Sequence, residues 1–114
     1  MDEAIEKMAR DAGLTEEELA ELIRLFVASS TTDIRSLERF LAADQVTEAR
    51  RRLHSLKGAG VNLSLERLAW YCEHAEAALD NHCFEDAAAA VIQIKRIVEN
   101  LSAESLGLEY PTAS

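Results

Sequence analysis

Apolar residues recur along this chain at spacings of three and four, the period of a helix face. Residues 2–12 place Ile5, Met8, Ala9 and Ala12 on one side, and Gly13 follows as a stop. Thr15 to Glu18 then reads as a capping box, with an acidic first turn that suits the helix dipole. Beyond it Leu19, Ile23, Phe26, Ser30, Ile34, Leu37 and Leu41 keep one register to about residue 43. The hydroxyls of Ser29, Ser30, Thr31 and Thr32 compete for backbone hydrogen bonds. They predict a long helix bent or briefly broken there, with Asp33 restarting it. Asp44 is expected to cap the next helix, whose stripe is Val46, Ala49, Leu53, Leu56, Gly60 and Leu63. Ser64 is expected to cap another, with Leu65, Leu68, Cys72, Ala75 and Leu79 inward. A turn at Asp80-Asn81-His82 leads to a last helix from about Glu85 to Leu101, with Ala87, Val91, Ile94, Val98 and Leu101 inward.

These stripes and their short connections predict an all-α fold, an antiparallel up-down four-helix bundle with an additional short N-terminal helix. The 114 residues make a single domain, 1–114, with a core over about 16–103 and a tail over 104–114. Composition excludes the main rival. One proline and four glycines cannot supply the turn about every ten residues that a sandwich or barrel needs. The 48% hydrophobic content is enough to build a core.

Charge narrows the function. Twelve basic and twenty-one acidic residues give a formal net charge of −9. Such a surface disfavours nucleic acid and anionic membranes as partners. No apolar run approaches the ~20 residues of a membrane span. The acidic start Met1-Asp2-Glu3-Ala4 is unlike a signal peptide, so a cytoplasmic protein is expected, and Met1 suggests a stand-alone chain over a piece of a larger kinase. Cys72 and Cys83 make no disulfide framework. Cys72 sits on a core stripe, and the chain lacks the paired, closely spaced ligands of a zinc site, so no metal is expected. Trp70 and Tyr71 read as packing and rim residues, and His74 and His82 as ordinary surface positions.

His54 stands apart. On a helix over 46–63 it lies roughly 130° from the apolar stripe and points outward. Arg50 and Arg51 precede it by one turn on the same face, Lys57 and Gly58 follow by one turn, and Val61 by two. A glycine inside a helix costs about 1 kcal/mol relative to alanine. Gly60 lies on the core stripe, where a small residue admits a neighbouring helix. Gly58 is exposed at i+4 from His54 and clears space beside the ring. Lys57 offers charge-assisted hydrogen bonds suited to phosphate oxygens. It also disfavours a second positive charge on the imidazole, and a neutral imidazole is a usable nucleophile.

The run His54-Ser55-Leu56-Lys57-Gly58-Ala59-Gly60, continuing Val61-Asn62-Leu63, resembles the signature of histidine-containing phosphotransfer (HPt) domains. Leu68, Cys72 and Glu76 also fall where that family often has leucine, cysteine and glutamate. The resemblance covers roughly residues 16–103. The family often has glycine where Ser64 stands, a departure that bears on the turn.

The resemblance implies a phosphorelay protein that takes a phosphoryl group on His54 from a receiver-domain aspartyl phosphate and passes it to another receiver aspartate. Lys57 and Gly58 would support the phosphate, and Arg50, Arg51 and Val61 would face the partner. Response-regulator receiver domains are the implied partners, with a hybrid histidine kinase as another source, and the chain is expected to be a monomer. It needs no cofactor of its own, because Mg²⁺ would belong to the receiver. With neither G-x-x-x-x-G-K-[ST] nor G-x-G-x-x-G, autonomous ATP-dependent kinase activity is not expected. Two alternatives stand beside this reading. One is a non-catalytic HPt-like module that binds a signalling partner without transfer. The other is the dimerisation segment of a histidine kinase, which typically has Glu or Asp where Ser55 stands.

Overall fold

The computed structural model describes residues 3–105, all of them in helices or the short links between them. The helices are α1 (Glu3–Ala12), α2 (Glu16–Ala42), α3 (Val46–Asn62), α4 (Glu66–Asp80) and α5 (Phe84–Ser105). α2, α3, α4 and α5 each pack on the next, α5 returns to α2, and, among the described residues, α1 lies against α2 alone. This is the antiparallel bundle with an extra N-terminal helix. The tail over 106–114 lies outside the described residues, as do the side chains of Ile5 and Met8.

The stripes supply the core. Leu19, Ile23, Leu37, Leu53, Leu56, Leu68, Leu79 and Ile94 are buried almost completely. Each such side chain contributes about 1.5–3 kcal/mol by leaving water. Cys72 and the alanines at 49, 75 and 87 let the helices approach closely, and all four are fully buried. Ala12, expected on the inner face of α1, is exposed, whereas Ala9 is buried.

α2 starts as predicted. The Thr15 side chain accepts from the Glu18 amide at 3.0 Å, and Glu18 Oε1 accepts from the Thr15 amide at 3.1 Å. The bond from the Thr15 amide, with the Thr15 side chain adding to it, holds the Glu18 carboxyl below its usual range. The expected long helix forms without a break near residue 30, and α2 is one helix of 27 residues. The hydroxyls satisfy themselves without breaking it: Thr31 Oγ1 donates to the Val27 carbonyl at 2.7 Å, and Thr32 Oγ1 to that of Ala28 at 3.3 Å. Asp33 does not restart a helix. It accepts from Arg52 of α3 at 3.0 Å and ties the two helices together.

Asp44 and Ser64 are not N-caps. The N-cap positions belong to Gln45 and Leu65, neither with a side-chain capping bond. Asp44 and Ser64 instead close the preceding helices in the left-handed region, at φ 57° and 58°, as His82 does at 57° and Gly13 at 70°. All four closures carry the same two backbone bonds. At residue 64, for example, the Ser64 amide donates to the Val61 carbonyl at 3.0 Å and the Leu65 amide to that of Gly60 at 2.8 Å. This is the Schellman pattern, in which glycine is the usual left-handed residue. Asp80, expected in a turn, is the last residue of α4, and α5 runs longer than expected at both ends.

A left-handed conformation costs a non-glycine residue about 1–2 kcal/mol. Ser64→Gly should therefore raise stability by about 0.5–1 kcal/mol. A higher urea midpoint at an unchanged m-value would show this gain, and an unchanged or lower midpoint would contradict it.

Candidate functional site

α3 presents two different faces. Ala49, Leu53, Leu56 and Gly60 are buried, while Arg50, Arg51, His54, Gly58 and Val61 are exposed. His54 is thus displayed on the bundle's flank. The two glycines separate cleanly. A Cβ built on Gly60 would come within 3.0 Å of Leu68 Cδ2, so this glycine lets α4 approach. A Cβ on Gly58 would meet nothing within 4 Å. The fold itself does not require Gly58, and the space beside His54 is open to solvent.

The neighbouring helix completes the site. α3 and α4 run antiparallel, and their polar edges meet in register. Arg50 Nε lies 3.3 Å from Asp80 Oδ1, and Lys57 Nζ lies 2.7 Å from Glu73 Oε1. Between these rungs, His54 and Glu76 line one surface pocket together with Thr47, Arg50 and Arg51. Stepping from 50 to 54 to 57 on α3 therefore steps from 80 to 76 to 73 on α4. Glu76 Oε1 is buried in this row and has no hydrogen-bond partner. A buried carboxylate oxygen lacking a donor is costly.

The ammonium of Lys57 does not stand free beside His54. It is engaged by Glu73, and that hydrogen bond raises its pKa above the ordinary lysine value. The basic run also divides: Arg50 reaches α4, Arg51 lies 3.5 Å from Glu48 of its own helix, and Arg52 reaches α2. Arg50 and Arg51 still share the pocket of His54, so the structure gathers them with it.

Val61 and Trp70, at 57% and 55% exposure, flank a second surface pocket that Glu73 also lines. Trp70 and Tyr71, read as packing and rim residues, pack edge to face at 4.9 Å, and the half-exposed Trp70 ring also stacks on His74 with centroids 5.1 Å apart and planes within 9°. The i, i+4 spacing of Trp70 and His74 was the available sign of that stack. Glu73 and Asp80 carried no sign of their own, because their partners lie on another helix, and Glu76 was marked only by the family resemblance. Cys72 is buried, and burial pushes its thiol up to about 12. Among the described residues, no three His, Cys, Asp or Glu side chains are grouped to hold a metal ion. No helix among them is long and apolar enough to cross a membrane.

The Hpt domain profile matches residues 21–104, and the chain belongs to that family of signal-transduction domains. Comparison with curated proteins and with solved structures returns no match.

The two glycines should respond oppositely to alanine. Gly58→Ala should gain up to about 1 kcal/mol of helix propensity. Gly60→Ala gains the same propensity but must displace buried Leu68, so it should fall at least about 1 kcal/mol below Gly58→Ala. Equal urea midpoints for the two variants would contradict this account of Gly60.

Proposed function

We propose that this protein is a phosphorelay carrier that accepts a phosphoryl group on His54 from a receiver aspartyl phosphate and passes it to another receiver aspartate. The observation that carries the reading is the open space over Gly58 beside an exposed His54. The helix forgoes about 1 kcal/mol at Gly58 with no return inside its own fold. A partner pressing close to the ring makes use of that gap.

The transfer balances simply. The Nε2 lone pair of a neutral His54 attacks phosphorus, the bond from phosphorus to the aspartyl oxygen breaks, and the aspartate leaves as carboxylate. The ring proton stays on Nδ1. Glu76 lines the same pocket with a buried oxygen that lacks a donor, which supports a role for it as the acceptor of that N–H. Lys57 supplies a cation for the phosphoryl oxygens, and Arg50, Arg51 and Val61 offer contacts to the receiver. Mg²⁺ and the acidic residues that bind it belong to the receiver. Reversing the steps onto a second receiver completes the relay.

One observation favours a second reading, an HPt-like module that binds a partner without transfer. Lys57 is already engaged by Glu73, as in a purely structural tie. The kinase dimerisation alternative is disfavoured, because one chain closes all four helices of the bundle.

Incubation with phosphorylated receivers of the same cell should move label to His54 as acid-labile, base-stable phosphate. His54→Gln should abolish labelling. Lys57→Ala should slow transfer about tenfold or more, as loss of a charge-assisted hydrogen bond implies, with the helical signal unchanged. No labelling from any receiver, with partner binding unchanged in His54→Ala, would replace this reading with the binding-module one.

A further inference from the structure

The Lys57–Glu73 pair lies beside the ring that would carry the phosphoryl group. Lys57 and His54 are i, i+3 neighbours, about 5–6 Å apart at Cβ. The ammonium has three donors and a flexible stem, so it can turn from Glu73 toward an anion on His54. Its side chain is 31% exposed and that of Glu73 58%, so neither is locked in place. A phosphoryl dianion on His54 would compete with Glu73 for the same cation. Once Lys57 turns, Glu73 is left as a like charge beside the phosphoryl group.

We propose that Glu73 is a positioning residue that tunes how readily His54 gives up its phosphoryl group, by competing with that group for Lys57. The proposal rests on the carrier role above. In the empty state Glu73 holds Lys57 ready and cancels its charge. In the loaded state Glu73 draws the cation back and repels the dianion, which raises the transfer potential and favours onward transfer. The other charged groups facing the site are Arg50 and Arg51 on α3 and Glu76 and Asp80 on α4, and none of them is bonded to Lys57. Exposed ion pairs are weak, so the effect is a modest adjustment.

Phospho-His54 prepared with phosphoramidate gives a direct test by ³¹P NMR, its resonance assigned by absence in His54→Gln. Stabilising the dianion lowers the pH at which the phosphoryl group takes up its proton. Glu73→Gln should lower that midpoint by about 0.3–0.7 units, a two- to fivefold change in the equilibrium. The shift should shrink in high salt and in a Lys57→Ala background. Glu38→Gln makes the same charge change in another interhelical pair, with Lys95 at 3.7 Å, and should leave the midpoint in place. A Glu73→Gln midpoint equal to wild type, or matched by Glu38→Gln, overturns the proposal while the carrier role stands. If His54 takes no phosphoryl group from phosphoramidate or from receivers, the carrier role fails and this proposal fails with it.

Discussion

Close contact between α3 and α4 at a fixed register is the constraint on which the rest depends. Gly60 brings the helices together against Leu68, and the Schellman closure at Ser64 reverses the chain immediately afterwards. Once these are set, Arg50, His54 and Lys57 must look across at Asp80, Glu76 and Glu73. A shift of one residue would turn the leucines outward and scatter the charged row. The exposed ion pairs add little stability individually. The buried stripes hold the bundle, and the polar row inherits its alignment from them.

The architecture was legible because the apolar residues of each helix keep one stripe. Leu53, Leu56, Leu68, Cys72 and Ile94 are buried where the spacing placed them. Chain reversals were harder to read. Asp44 and Ser64 are residue types that cap helix starts, yet here they end helices in the left-handed region, where glycine is the usual sign. The hydroxyl run over 29–32 misled for a related reason. Its side chains bond back to carbonyls one turn earlier, so the competition they offer the backbone is absorbed within the helix.

The site was legible along α3 and, apart from Glu76 in the family resemblance, hidden across to α4. The exposure of His54 and the emptiness over Gly58 follow from the position of each on its own helix. The engagement of Lys57 does not, since it depends on which residue of another helix lies opposite. The sign of the local charge changes accordingly. A cation beside a histidine becomes a neutral pair beside a histidine, with a second carboxylate at Glu76.

Trp70 gives the protein an optical property of its own. It is the sole tryptophan of the chain, lies half in solvent against His74, and borders the same pocket as Val61 and Glu73. Its emission colour reports how wet that corner is. Any visitor that settles over the corner dries the indole and shifts its light to the blue, so the unlabelled molecule announces its own encounters.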